Sequence, residues 1–299
     1  MSAENKAEYG HVSVMVGEVM ENLQPRPGDI AVDGTTGLGG HARVVASTLG
    51  PMGRMVCFDR DAEALRAASA NLAGLECRLD YVNRPFEAIS DELARLGIKG
   101  VDRILLDLGV SSLQLDKAER GFSFMRDGPL DMRMDQAHGD NASTLVNRLS
   151  VEELSDIFSK FGEERFSLRI AKRIVEKRGE KPITTTGELS LIVSSAVPGR
   201  GRTHPATRVF QALRMAVNDE LGTLSRGLAG AGRMLNPGGR LAVLTFHSLE
   251  DRLVKRVFIR WKELGVAKLV NAKAISCSRD EARTNRRARS AKLRVVERL

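Results

Sequence analysis

The chain has 299 residues, a formal net charge of +8, and 42% hydrophobic and 28% charged residues. That length suits one large domain or a domain with a sizeable insertion, and the excess of cations points to a polyanionic partner. No apolar run is long enough to span a bilayer, the N-terminus lacks signal-peptide order, and the scattered cysteines and histidines form no zinc motif; a cytoplasmic protein with reduced thiols, no membrane partner and no metal is expected.

In chain order, Asp29 to Asp33 reads as a strand, followed by a glycine-rich loop and a helix from Gly40 to Leu49. A second strand, Arg54 to Asp61, leads into a helix from Asp61 to Leu72. A third apolar segment near Cys77 to Val82, a helix to about Leu96 and a strand from Val101 to Gly109 continue the alternation. Strands and helices in turn imply a parallel, doubly wound sheet. From Asp116 to Pro205 the pattern gives way to polar loops and helix-period segments such as Val151 to Phe161. It resumes with a helix from Phe210 to Leu221, an N-P-G-G turn and a strand from Arg240 to Phe246. The expected organisation is an α/β domain of residues 1–115 and 206–299, interrupted by a helical insertion, 116–205, for substrate recognition.

Chemistry concentrates first in V-D-G-T-T-G-L-G-G-H-A, Val32 to Ala42. The loop joins the first strand to the first helix, where open parallel sheets bind ligands, and Gly37 to Ala42 satisfies G-x-G-x-x-A. Asp59 follows at the end of the next strand, placed to accept both hydroxyls of an adenosine ribose. A dinucleotide and S-adenosylmethionine both carry that ribose. Asp33 at the strand mouth would repel a pyrophosphate and attract an ammonium or sulfonium group, which favours the methyl donor. So do Asp107 at the fourth strand end and the N-P-G-G-R turn, which resembles a turn of class I methyltransferases.

Basic charge concentrates at the other end: Lys273 to Leu299 holds nine Lys or Arg against three Asp or Glu. A solvated tail and a phosphate-binding segment both fit this composition, and the closing apolar alternation favours the phosphate-binding reading, in which the tail supplies RNA affinity. The closing alternation L-R-V-V-E-R-L could pin the tail to a sheet edge, and an aromatic content of 4% argues against a base-stacking platform.

Longer blocks carry a specific resemblance: D-G-T-T-G-L-G-G-H (Asp33 to His41), L-L-D-L-G-V-S-S (Leu105 to Ser112), R-G-F-S-F-M-R-D-G-P-L-D-M-R-M-D (Arg120 to Asp135), H-P-A-T-R-V-F-Q-A-L-R (His204 to Arg214) and P-G-G-R-L-A-V-L-T-F-H-S-L-E-D-R (Pro237 to Arg252). With the opening H-V-S-V-M-V-G-E and the closing R-S-A-K-L-R, the chain resembles the MraW family over nearly its whole length. The resemblance implies a class I (Rossmann-like) S-adenosylmethionine-dependent methyltransferase. Its implied target is the exocyclic N4 of a cytosine near the decoding region of 16S ribosomal RNA, in an assembled small subunit rather than in DNA. It implies that Gly39, Gly40 and His41 contact the methyl donor, that Asp59 holds its ribose, and that Phe86, Asp107 and Gln114 surround its adenine and methionine ends. Leu113, Ser13 and Arg286 stand where the family usually has proline, which removes rigid φ values without removing a charge.

Cytosine chemistry also makes Asp107, or a carbonyl of Leu108 to Val110, the candidate acceptor for the amino group; a purely cofactor-binding carboxylate fits equally. His247 and Arg252, with His204 and Arg208, are the candidate contacts to the nucleotide and RNA. Ser248 reads as a helix cap with Asp251 as its capping-box acid. For Asp127 to Asp135, substrate recognition and a self-satisfied network of Asp and Arg are equally good readings. A nicotinamide oxidoreductase and a non-catalytic ribosome-assembly factor remain as alternatives, discriminated by methyl-donor binding.

Overall fold

The computed structural model describes residues 13–198 and 204–299, apart from the side chain of Arg286. His11 and Val12 of the opening block, and the ten residues before them, lie outside that set. The chain forms two compact units, one made of Met1–Ser111 and Leu221–Leu299, the other of Ser112–Glu220.

The first unit contains β1 (Ile30–Asp33), β2 (Arg54–Phe58), β3 (Arg78–Val82), β4 (Val101–Asp107), β5 (Leu235–Thr245), β6 (Ala267–Leu269), β7 (Ile275–Ser276) and β8 (Lys292–Arg298). Their order is β3-β2-β1-β4-β5-β8-β6, with β7 also paired to β8. β1 to β5 pair in parallel, whereas β8 runs antiparallel to β5 and β6. The chain builds outward from β1 to β3 and then crosses back to place β4 on the other side of β1. That reversal opens a crevice at the carboxyl ends of β1 and β4, the usual ligand position in such sheets.

Helices α1 (Val16–Leu23), α2 (Gly40–Leu49), α3 (Ala62–Asn71) and α4 (Ile89–Arg95) precede or link the early strands. The period-two pattern of the strands sorts their side chains to two faces. Ala31, Met55, Cys57 and Leu105 join the core that α1, α2 and α3 cover. Val32, Val56, Phe58, Ile104 and Leu106 join the core on the opposite face, which also takes in Ile89 and Leu93 of α4. The doubly wound sheet expected from the alternation, and the Rossmann-like fold implied by the resemblance, are therefore present.

In the second unit lie α5 (Ser112–Asp116), α6 (Ala142–Arg148), α7 (Val151–Gly162), α8 (Ser167–Glu180), α9 (Thr186–Ala196) and α10 (Ala206–Val217). Apolar residues of α6 to α10 form its core, including Val146, Phe158, Ile174, Val193 and Leu213. Capping boxes start two of these helices, Ser150 with Glu153 on α7 and Thr185 with Glu188 on α9.

The structure corrects the local reading in four places. The single helix expected from Phe210 to Leu221 is broken, because α10 ends at Asn218 and Asp219 has φ +45°. Asn218 donates from Nδ2 to the Met132 and Arg214 carbonyls at 2.8 Å and accepts the Met134 amide at 2.8 Å, so its side chain competes with helix continuation. Glu220 begins a new helix, α11 (Glu220–Met234). The expected N-P-G-G turn is a bulge inside β5, where pairing shifts between Val101 and Arg103 and Gly238 takes φ +77°. The closing alternation does pin the tail to the sheet, as β8 on β5, but β6 pairs with the other side of β8, so this strand is not itself an edge. Finally, His247, not Ser248, caps α12 (Ser248–Glu263). Two short elements complete this region, α13 (Arg279–Thr284) and a 3₁₀ turn, Arg286–Ser290. No described helix is long and apolar enough to cross a membrane.

Candidate active site

The glycine-rich loop is held open by backbone bonds. Gly34 donates its amide to the Leu105 carbonyl at 2.9 Å, Thr36 to Phe58 at 2.9 Å, and Gly39 to Thr36 at 2.8 Å. Gly39 has φ +86° and caps α2, a conformation that a Cβ would strain. The close approach has neighbours on both sides, since a Cβ on Gly39 would touch Ala68 of α3 and Leu72 just after it, and one on Gly40 would collide with the Ser13 hydroxyl.

Three carboxylates gather at the carboxyl edge of this sheet. Asp33 is buried and accepts the Thr35 amide at 3.0 Å, yet burial, with Asp59 nearby, pushes its pKa up to about 7. Asp59 accepts the Gly37 amide at 2.7 Å and the Asp61 amide at 2.8 Å; burial outweighs these bonds and raises it to about 6. Asp107 ends β4, and its own amide donates to Thr35 Oγ1 at 2.6 Å. Its Oδ2 lies 3.5 Å from His41 Nε2, and its Oδ1 is buried with no hydrogen-bond partner among the described residues. Burial first, then Asp33 and Glu250, push its pKa to about 8, while Arg287 pulls the other way. A cluster of carboxylates raised in this way is primed for a cation, whose charge would offset theirs.

Of the remaining expected residues, Phe86 is 9% exposed, in a short 3₁₀ turn (Phe86–Ala88), and packs with Leu106 in the core. Its ring fills the space that a Cβ on Gly227 would need. His247 Nδ1 accepts the Glu250 amide at 3.4 Å, and its Nε2 lies 3.0 Å from Glu250 Oε1. Glu250 in turn accepts the Phe246 amide at 2.8 Å and the His247 amide at 3.3 Å. The capping-box acid is thus Glu250. Asp251 instead pairs with Arg294 at 2.7 Å and Lys292 at 3.2 Å. Arg252 is exposed on the first turns of α12.

In the second unit Gln114 and Leu113 are buried in α5. His204 stacks on Phe124 with centroids 4.6 Å apart, and its Nδ1 accepts the Ala206 amide at 3.2 Å. Arg208 donates to the Glu163 carbonyl at 3.1 Å.

Sequence reading missed two members of the first unit's cluster. Thr35 ties Asp33 to Asp107 through its amide and hydroxyl, a contact across two strands that spacing does not display. Arg287 sat in a stretch read as a phosphate-binding tail. Register explains its position: β8 starts with Lys292 opposite Thr245, and the adjacent β4 pairs Asp107 with Leu244, so the 3₁₀ turn preceding β8 lies at the same sheet edge. Ala288 and Ala291 are buried beside it, and Arg289 Nε donates to the Ala282 carbonyl at 2.8 Å. This part of the basic segment is folded architecture.

The model of the MraW methylase family matches residues 8–299, essentially end to end. The chain belongs to that family. Three relatives carry the name ribosomal RNA small subunit methyltransferase H. The protein from Geobacter sp. (strain M21) is 47% identical, with 98% of this chain and 99% of the relative covered. That from Symbiobacterium thermophilum is 46% identical, with 97% of each covered. The Syntrophotalea carbinolica protein is 48% identical, with 97% and 98% covered. This MraW-family methylase uses S-adenosylmethionine as its methyl donor, and the donor set fits. A carboxylate has about four acceptor positions. Asp59 uses two of them on backbone amides, which leaves room for a ribose diol, and the raised Asp33 and Asp107 suit a ligand that carries an ammonium and a sulfonium.

Proposed function

We propose that the protein transfers the methyl group of S-adenosylmethionine to the exocyclic N4 of a cytosine in 16S ribosomal RNA, near the decoding region and in an assembled small subunit. The observation that carries the chemical part is Asp107: a carboxylate at the crevice with one buried oxygen unpartnered among the described residues. Support for the RNA comes from relatives named for the small ribosomal subunit and matched over nearly their whole length.

In this reading Gly39, Gly40 and His41 line the donor, Asp59 takes its ribose, and Phe86, Asp107 and Gln114 surround its adenine and methionine ends. When bound, the cofactor supplies an electrophilic methyl group on a positively charged sulfur. The cytosine amino nitrogen is a poor nucleophile because its lone pair is delocalised into the ring. Asp107 counters this by accepting a hydrogen bond at Oδ1, which favours a more tetrahedral nitrogen and orients it for displacement. The proton that the methylated nitrogen must lose passes to the same carboxylate. His247 and Arg252, with His204 and Arg208, position the unstacked nucleotide and its strand. The protein is cytoplasmic.

Nucleoside mass spectrometry of small-subunit RNA from cells with and without the gene tests this reading. Loss of N4-methylated cytidine on deletion is expected. An unchanged nucleoside profile, with no calorimetric binding of S-adenosylmethionine, would instead favour a non-catalytic assembly factor.

A further inference from the structure

Helix α12 leaves the carboxyl end of β5, beside the crevice, and its faces differ sharply. Val254 and Phe258 are buried in the core, with Leu253, Val257 and Trp261 packed against it. The opposite face exposes Arg252, Lys255, Arg256, Arg260 and Lys262. These positions recur at helical spacing and therefore share one side over about 15 Å of axis.

A row of cations on a surface helix is ordinarily a solvated face, neutralised by acids one turn away. Helix α8 follows that pattern, with Arg173 on Glu176 at 2.7 Å and Lys177 on Glu180 at 2.9 Å. On α12 every acid is engaged elsewhere or at the far end. Glu250 is buried beneath the Phe246 and His247 amides, Asp251 is taken by Arg294 and Lys292, and Glu263 pairs only with Arg260, at 3.6 Å. Lys255, Arg256 and Lys262 form no ion pair among the described residues. The fold thus removes the neutralising acids from a helix that starts at the site.

We infer that this face of α12 is a phosphate track for the RNA strand adjoining the methylated nucleotide. The inference rests on the proposed function and adds to it where the substrate backbone lies in the first unit. RNA fits because a line of separate cations matches a line of backbone charges without requiring base contacts. Arg252 stands at the end nearer the crevice, and the three unpaired cations extend the track away from it.

The test is a triple variant, Lys255→Gln, Arg256→Gln and Lys262→Gln, all exposed and none assigned to the donor or the target base. Affinity for purified small subunits should fall roughly 100-fold at moderate salt, and the slope of log affinity against log salt should flatten by about 2. S-adenosylmethionine affinity, circular dichroism and kcat at saturating subunits should match the parent, with KM raised. An unchanged slope in a folded variant whose parent binds subunits with a steep slope would overturn the track while leaving the proposed function intact. A parent protein with no salt-dependent affinity for subunits would overturn both.

Discussion

Both units gather carboxylates, and they treat them in opposite ways. In the second unit, Asp131 grips Arg133 through two oxygens at 2.8 Å and accepts the Arg133 amide at 3.0 Å. Burial works to raise its pKa, but these bonds win and hold it below the usual carboxylate range. Asp127 accepts the Gly187 amide at 2.8 Å and the Gly128 amide at 3.0 Å, and these bonds also lower its pKa. Arg120 ties the same segment together by donating to the Arg133 and Met134 carbonyls at 3.1 Å. The D-G-P-L-D-M-R-M-D stretch is thus a satisfied network that shapes its own backbone. In the first unit Asp33, Asp59 and Asp107 are all shifted upward, because burial outweighs the Thr35, Gly37 and Asp61 amides and the charges of Arg60 and Arg287. Carboxylates whose bonds favour the anion mark scaffold, whereas carboxylates whose burial outweighs their bonds mark the site.

The largest expected effect is on turnover. Asp107→Asn keeps the shape but weakens the acceptor, and kcat should fall about 10²–10⁴-fold, with S-adenosylmethionine affinity changed much less. Equal losses in kcat and cofactor affinity would reduce Asp107 to a cofactor ligand. The same variant should stabilise the unliganded protein. Because the folded pKa near 8 exceeds the ordinary 3.8, the carboxyl's contribution is full below 3.8 and is lost as pH rises through 8. The variant's advantage in Tm should therefore be greatest above pH 8 and vanish near pH 4, at about 2–4 °C for each kcal/mol relieved.

Asp59→Ala removes the proposed ribose acceptor and two backbone anchors, so S-adenosylmethionine binding should weaken by about 1.5–3 kcal/mol. Unchanged calorimetric affinity in a folded variant would take Asp59 out of the site. Asp131→Asn probes the opposite side of the comparison. It should lower unfolding stability by about 1–3 kcal/mol through the loss of the Arg133 pair, while donor affinity stays at the parental value. A variant of normal stability and impaired catalysis would move this network from scaffold to function.

The smallest effect concerns Arg287. Its charge favours the ionised form of Asp107, so in Arg287→Gln the ionisation moves upward from about 8. If the carboxylate form is active, kcat/KM for the methyl donor rises through that pKa, and the variant's profile lies to the alkaline side of the parent's. A bound cation shifts both profiles to lower pH in kcat. Superimposable kcat/KM profiles would show that Arg287 does not tune this carboxylate.

Much of this protein was written locally. The strand alternation of Ile30–Asp33, Arg54–Phe58 and Val101–Asp107 was legible because each strand is buried on both faces and its apolar runs are bounded by glycine or acid. The glycine loop, Asp59 and Asp107 were legible as a cluster because strand ends of a parallel sheet converge by topology. Other features depended on partners distant in sequence. Asn218 stops a helix only because Met132 and Met134 present backbone groups to it, and a periodic pattern cannot foresee that. Ser248 and His247 are both able to cap α12; Glu250 and the Phe246 backbone decided for His247. The basic C-terminal segment had the composition of a tail, yet antiparallel pairing of Lys292–Arg298 between β5 and β6 made its end part of the sheet and brought Arg287 to Asp107. Composition fixed how much positive charge the chain carries; only the tertiary structure decided which cations meet acids and which face outward, because neutralisation depends on distances of a few ångströms between residues far apart in sequence.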